Sequence, residues 1–229
     1  MTQRIRSLLS GVYDAAVVED LSERIERRLG RVKPRPGRGD QWSATDVVLI
    51  AYPDAIQDEG EAPLTSLRSF LHDHMSGLIG QVHLLPFFPY TSDDGFAVSD
   101  YRAVDPSHGE WADIEALSKD VDLVFDLVIN HASASHGLFQ QFLRDEAPGN
   151  RYFLTADASA DVAGVTRPRA SPLLQPYETV SGTRHVWCTF SRDQVDWDFS
   201  NPDVLFEFID VFVSYIERGA AWIRVDAIA

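Results

Sequence analysis

The sequence has little cysteine, a shortage of basic residues and no long apolar run. Its 229 residues include one cysteine, Cys188, which excludes an internal disulfide framework and fits a reducing, cytoplasmic setting. Lysine and arginine number 20 against 35 acidic residues, and this net charge of −15 disfavours a nucleic-acid or anionic-membrane partner. We therefore expect no membrane span, and acidic residues close to the N-terminus argue against a signal peptide.

The hydrophobic residues, 45% of the chain, are enough to bury the core of one domain or slightly more. Residues 1–40 form the first predicted unit, a helical lead-in with a basic linker. One helix face carries Val17, Leu21, Ile25 and Leu29. The Pro/Gly-rich stretch 31–40 follows, and it is either a solvated linker, which we favour, or an anion-binding segment.

Four apolar segments then alternate with helical patterns. The segments begin at Val47, Val82, Leu123 and Ala221. Their continuous apolar character predicts parallel strands covered on both faces. Helices are expected around 64–79, at 111–117, and between the capping residue Asn201 and Gly219. This order predicts an α/β fold built from strand–helix units.

The interval between the third and fourth strands is too long for one crossover helix. It runs for 98 residues from Leu123 to Ala221. We predict barrel strands one to three in residues 41–131, an inserted small subdomain in 132–198, and a third helix with strand four in 199–229. The Pro, Ser, Gly and Asp content of the insertion predicts an irregular, loop-rich lobe.

Polar groups stand at the ends of two of the apolar strands. Arg224 and Asp226 are two positions apart, so alternation puts both on one face of the last strand. A carboxylate beside a guanidinium stays ionised, which suits a nucleophile. Another apolar strand closes with the segment Asp126–His131, which has polar groups at its C-terminal end. Side chains at the ends of several parallel strands form the active site of a (β/α) barrel.

Several motifs together resemble the alpha-amylase superfamily, glycoside hydrolase family 13. They also resemble its sucrose phosphorylase group, especially the glucosylglycerate phosphorylase-like branch. The motifs are DLVINH (126–131), RVDA (224–227), LLPFFPYTSDDGFAVSDY (84–101), VTRPRASPLL (165–174) and HVWCTFSRDQVD (185–196). The resemblance extends from Trp42 to Ala229. It implies the N-terminal half of an eight-stranded barrel, with the insertion after strand three.

The resemblance assigns roles on the glucose side. Asp226 matches the nucleophile of a retaining mechanism, and Arg224 would orient it. His131 would contact the sugar's 6-hydroxyl and Asp93 its 4-hydroxyl, although Asp94 is an alternative to Asp93. An apolar platform under the sugar would come from Phe96.

The remaining roles concern the acceptor and the surroundings. Arg169 would meet phosphate or the leaving group. The alternative, a surface arginine that fixes a loop, explains Arg167 nearly as well and Arg169 somewhat less well. Phe190 and Gln194 match acceptor-site positions. Two structural positions lie beneath the sugar site, Asp126 and Asn130. Asn130 matches a calcium ligand of many amylases, yet the phosphorylase branch lacks that ion, so we predict no metal and no cofactor, with inorganic phosphate as co-substrate.

The implied function is a glycoside phosphorylase acting on glucosylglycerate, sucrose or sucrose 6′-phosphate. The alternatives are a hydrolase or transglycosidase of the same superfamily and a non-catalytic half-barrel remnant. Because the family's acid/base Glu lies on the fifth strand, we expect an N-terminal fragment that is inactive without its C-terminal half. Its first and fourth strands would be open edges. Whether the full-length enzyme dimerises is left open.

Overall fold

The computed structural model describes residues 2–33, 44, 46–167 and 169–228. Most of the predicted basic linker, residues 34–40, lies outside this range. The helices are α1 (Thr2–Leu9), α2 (Ala15–Leu29), α3 (Pro63–His74), α4 (Trp111–Leu117), α5 (Gly137–Leu143) and α6 (Pro202–Glu217). The strands are β1 (Val48–Ala51), β2 (Gln81–Leu84), β3 (Asp122–Val128), β4 (His131–Ser133), β5 (Thr155–Ala156), β6 (Leu174–Thr179), β7 (Gly182–Trp187), β8 (Gln194–Asp196) and β9 (Ala220–Asp226).

The main sheet has four parallel strands in the order β1-β2-β3-β9. Each of the four apolar segments becomes one of these strands, and helices connect them. The fold is therefore a partial (β/α) barrel, as predicted. Its last helix begins as expected, since the Asn201 side chain accepts a hydrogen bond from the backbone N–H of Asp203. No helix within the described ranges is long and apolar enough to span a membrane.

The two faces of this sheet differ. On the helix-covered face Phe125 is fully buried, and its ring meets that of Tyr215 from α6 edge-on at 5.8 Å. On the other face Ile50 is 62% exposed and Trp222 is 55% exposed. The expectation that all four strands are covered on both faces is thus wrong for β1 and β9. The expectation of open edge strands is confirmed for the described residues, in which β1 and β9 stand at the two edges of the sheet.

The lead-in helices pack against α6 instead of standing apart. Leu21 and Ile25 of α2 are buried in a small cluster that includes Phe206 of α6. Arg28 of α2 pairs with Asp210 and Glu217 of α6. The N-terminal pair of helices therefore covers the outer side of the helix that leads directly into β9.

The segment between β3 and β9 is more regular than its composition predicts. Strands β5, β7 and β6 form an antiparallel sheet, and β4 pairs with β8. The hairpin between β6 and β7 closes at Gly182, whose φ of +111° suits glycine. Beneath this sheet Phe153 stacks on Trp197 at 4.5 Å between ring centroids. Aromatic packing and strand pairing thus give order to a segment rich in turn-forming residues.

Candidate active site

The C-terminal end of β9 carries the pair that the sequence singles out. Strand alternation places Arg224 and Asp226 on one face, and a guanidinium nitrogen lies 2.6 Å from Oδ1 of Asp226. The Asp226 side chain is 21% exposed and that of Arg224 is 47% exposed. The carboxylate is thus held by a cation and remains open to a reactant.

Asp126 of β3 anchors the other end of that guanidinium. It stands opposite Arg224 in the strand register and is fully buried. Its Oδ1 accepts from Arg224 and its Oδ2 lies 2.8 Å from Nε2 of His83 on β2. The hydrogen bond with Asp126 is the main reason that the pKa of Arg224 is raised. Asp126 therefore lies buried behind Arg224, and His83 contacts it there.

His131 begins β4 and is buried. Its Nε2 lies 3.1 Å from the carbonyl oxygen of Phe96, which can only accept, so the proton of this bond belongs to the ring. The amide nitrogen of Gln194 lies 3.0 Å from the same ring nitrogen, and that of Asn130 lies 3.4 Å from Nδ1. Burial lowers the pKa of His131 to about 4. The imidazole is therefore neutral at neutral pH.

Asp93 and Asp94 occupy a tight turn in front of His131. Both have positive φ, at 58° and 51°. The carboxylate of Asp93 accepts from the amide of Gln194 at 2.8 Å, whereas Asp94 offers its backbone carbonyl to the Tyr52 hydroxyl at 3.2 Å. The structure thus brings the Asp93 side chain, and not that of Asp94, into contact with the partner of His131.

Gly95 lets this turn pass close to the end of β2. A Cβ on Gly95 would come within 2.5 Å of the Pro86 side chain, and its φ of +102° also favours glycine. The next residue, Phe96, lies beside Arg224, because its ring centroid is 5.9 Å from Cζ of Arg224. The turn therefore sets both an apolar ring and a carboxylate around the strand ends.

The inserted lobe supplies the other side of the site. The Phe190 ring centroid is 4.9 Å from that of His131, and the Arg169 guanidinium lies 5.9 Å from the Phe190 ring centroid. Arg169 is exposed. Arg167 donates instead to the carbonyl of Thr189 at 3.2 Å, which is a contact within the lobe. Of the two arginines, Arg169 is the one next to the aromatic ring over His131.

Two buried polar residues of the site were missed by the sequence reading. His83 lies inside the apolar run of β2, where a histidine is ordinarily interpreted as a residue that packs in the core. Asp196 pairs with His131 across β4 and β8 and receives hydrogen bonds from Thr189. Burial raises the pKa of Asp196 to about 6. Its place in the HVWCTFSRDQVD motif was the available signal.

Comparison with known proteins gives this arrangement a family. The profile of "Alpha amylase, catalytic domain" matches residues 76–229. The chain belongs to the alpha-amylase family. The matched span includes Asp93, His131, Arg169 and Asp226, but not the lead-in.

Two curated relatives match nearly all of the chain. A glucosylglycerate phosphorylase from Spirochaeta thermophila is 44% identical over 99% of this chain and 40% of that protein. Another glucosylglycerate phosphorylase, from Allomeiothermus silvanus, is 46% identical over 90% of this chain and 38% of that protein. The chain thus spans about 40% of the length of these relatives.

Solved structures agree on the fold. The sucrose 6F-phosphate phosphorylase from Thermoanaerobacter thermosaccharolyticum superposes with a TM-score of 0.72 at 28% identity, over 82% of this chain and 41% of that one. Trehalulose synthase from Pseudomonas mesoacidophila has a TM-score of 0.70 at 22% identity, over 84% of this chain and 36% of that one. The second likeness concerns the fold alone.

Proposed function

We propose that the complete protein carrying these 229 residues is a retaining glycoside phosphorylase. It would transfer glucose from an α-glucoside to inorganic phosphate and release α-glucose-1-phosphate. The single observation that carries the proposal is the Arg224–Asp226 pair, 2.6 Å apart at the end of a barrel strand. The names of the two similar phosphorylases support the choice of phosphate as the acceptor.

In this mechanism Asp226 attacks the anomeric carbon and forms a β-glucosyl ester, while the bond from that carbon to the leaving-group oxygen breaks and the acid/base carboxyl protonates that oxygen. Phosphate then attacks the same carbon from the opposite face, so two inversions give net retention. Arg224 keeps the carboxylate charged and oriented before attack, and it stabilises the carboxylate again when the ester breaks.

The glucose is gripped by hydroxyl contacts beside this pair. A neutral His131 can exchange hydrogen bonds with the 6-hydroxyl, and Asp93 can accept from the 4-hydroxyl. Gln194 donates to Asp93 at 2.8 Å, and its amide nitrogen also lies 3.0 Å from Nε2 of His131, whose proton is directed at the Phe96 carbonyl. We therefore place Gln194 between the glucose side and the acceptor side, where it also holds Asp93 and packs against His131.

A retaining enzyme also requires an acid/base carboxyl about 5–5.5 Å from the nucleophile. The resemblance puts that group, a glutamate, on a fifth strand, and the described parallel sheet has four strands. We propose that a C-terminal half supplies it in the complete protein and that the 229-residue chain alone has no turnover. No metal or organic cofactor enters the mechanism.

On the acceptor side we propose that Arg169 binds an anion. Its guanidinium is exposed next to Phe190, and a planar guanidinium can hold either phosphate or the carboxylate of a leaving group such as glycerate. Glucosylglycerate is our preferred donor, because the two phosphorylases at 44% and 46% identity bear that name. Sucrose and sucrose 6′-phosphate are the other candidates.

The test is phosphate dependence in the complete protein. Each of the three donors is supplied with and without inorganic phosphate, and free glucose is measured alongside α-glucose-1-phosphate. We expect one of the donors to give α-glucose-1-phosphate, and to do so only when phosphate is present. Equal glucose release under both conditions would identify a hydrolase, which is the alternative within the same family. The 229-residue chain, assayed in parallel, is expected to be inactive.

A further inference from the structure

A buried histidine, His83 on β2, begins a line of contacts that ends at the proposed nucleophile. Its side chain is 11% exposed, and Nε2 lies 2.8 Å from Oδ2 of the fully buried Asp126. The other oxygen of Asp126 accepts from Arg224, and Arg224 holds Asp226 at 2.6 Å. Four side chains from three neighbouring strands thus form one continuous chain.

The direction of the first bond follows from the chemistry of the partners. Asp126 already accepts from a guanidinium, and an ionised carboxylate offers acceptors only. The shared proton therefore belongs to Nε2, and His83 donates. Removing this donor would leave one oxygen of a fully buried carboxylate without its partner, and the Asp126 side chain would be free to turn.

Strand register explains why His83 reaches Asp126. His83 stands opposite Val124 on β3, and Asp126 lies two residues farther along the same face. Asp126 in turn stands opposite Arg224 on β9. A side chain of β2 thereby fixes a side chain of β9 through the strand between them.

We propose that His83 is a positioning residue for the nucleophile. By donating to Asp126 it fixes the carboxylate that orients Arg224, and Arg224 aims Asp226. The proposal rests on the function proposed above, since it concerns how Asp226 meets the anomeric carbon. His83 touches no substrate in this account, so its loss should lower kcat and leave the glucose contacts that set KM largely intact.

Three variants of the complete protein test this role. His83→Phe removes the donor and keeps a ring. In His83→Gln an amide nitrogen stands close to the former Nε2, so the donor is restored without an imidazole. The matched control is Gln81→Met, which changes another buried polar residue on the same strand and the same face. If His83→Phe does not fold, His83→Asn, whose shorter amide cannot reach Asp126, replaces it.

We expect kcat to fall about tenfold or more in His83→Phe, with KM for the glucoside within about threefold. His83→Gln should recover kcat to within about threefold of the wild type, and Gln81→Met should leave it unchanged. Equal kcat in His83→Phe and Gln81→Met overturns the proposal, and so does a His83→Gln variant as slow as His83→Phe.

Crystal structures separate this inference from the proposed function. If the complete protein transfers no glucose to phosphate, the proposed function fails and the position of Arg224 decides the inference by itself. The positioning role is supported if Arg224 turns away from Asp126 in His83→Phe but keeps its contact with Asp126 in His83→Gln. Arg224 unmoved in both variants overturns it.

Discussion

The proposed glucose side and the proposed acceptor side of this site are built by different means. On the glucose side, Arg224 and Asp226 extend from a barrel strand, and buried Asp126 holds Arg224 from behind. On the acceptor side, Arg169 lies exposed in a loop of the inserted lobe, with the Phe190 ring 5.9 Å away. Side chains tied to buried partners keep one geometry, whereas a loop arginine over a ring adapts more readily.

This difference matches what the proposed phosphorylase would have to do. The glucosyl group and its covalent ester demand one fixed geometry, because small displacements of a nucleophile cost large factors in rate. The acceptor side must receive a leaving group and then phosphate in turn. We therefore expect substitutions on the glucose side to lower kcat or kcat/KM, and those on the acceptor side to change KM.

The largest expected effect comes from Asp226→Asn in the complete protein. Loss of the nucleophile removes the covalent route, so kcat should fall by about 10⁴-fold or more. The companion variant Asp226→Gly, given azide and α-glucosyl fluoride, should form β-glucosyl azide, because azide takes the place of the carboxylate. An Asp226→Asn variant that keeps more than about a hundredth of the wild-type rate would contradict the assignment.

The second prediction concerns buried His131 on the glucose side and how the free energy of unfolding depends on pH. Burial lowers the pKa of His131 from 6.5 to about 4, so folding favours the neutral ring. The stability that this provides is complete above pH 6.5 and is lost as the pH falls toward 4, by about 2 kcal/mol at pH 5. Urea unfolding at pH 7 and pH 5 measures it, and His131→Gln should reduce the difference by about that amount.

Two other groups contribute to the same pH range. Burial also lowers the pKa of His136 to about 4, so His136 adds to the loss of stability in acid. Burial raises the pKa of Asp196 to about 6, so Asp196 acts in the opposite sense. Its contribution to the stability of the protein is lost as the pH rises toward 6. The comparison must therefore be made between variants at each pH. An unchanged pH difference in His131→Gln would show that the histidine is not held neutral by burial.

Gln194 lies where the two sides meet, and Gln194→Leu tests which side it serves. The variant removes a donor to Asp93 and a contact with His131, so kcat/KM for the glucoside should fall about 10- to 100-fold. Gln175→Leu is the matched control, since buried Gln175 donates at 2.6 Å to the Pro172 carbonyl within the lobe. If the variant lowers kcat/KM for phosphate and leaves kcat/KM for the glucoside unchanged, Gln194 serves the acceptor side alone.

The strands of the glucose side, and the shared face of Arg224 and Asp226, could be predicted from sequence because short local rules determine them. The roles expected of His131, Asp93 and Phe96 came only from the family resemblance. Apolar runs marked the four strands, and the two-residue spacing of Arg224 and Asp226 put them on one face. His83 was missed for the opposite reason. A histidine inside an apolar strand shows its role only when the register with Asp126 is known, and register is a property of paired strands rather than of one segment.

The contacts that sequence reasoning did not find are long-range ones. The salt bridges of Arg28 to Asp210 and Glu217 join residues more than 180 positions apart. The sequence pattern of the lead-in does not indicate that its helices pack against α6. The sheet of the inserted lobe was missed because a composition rich in turn-forming residues describes its loops and not the short strands between them. Both depend on tertiary packing, which local patterns do not encode.

The smallest expected effect is that of Arg169→Ala, and it tests the acceptor side alone. Loss of one exposed guanidinium should raise KM for phosphate, or for an anionic leaving group in the reverse reaction, by about tenfold, with kcat largely retained. Arg169→Lys keeps the charge but not the planar fork, so it should recover only part of the loss. Arg192→Ala is the control, because Arg192 also lies over a ring, that of Tyr177 at 5.2 Å, but contacts only the lobe in the described residues. Initial rates at varied phosphate distinguish the variants. If Arg169→Ala lowers kcat as strongly as it raises KM, the arginine acts in the transition state, and the division into a fixed glucose side and an adaptable acceptor side fails at this residue.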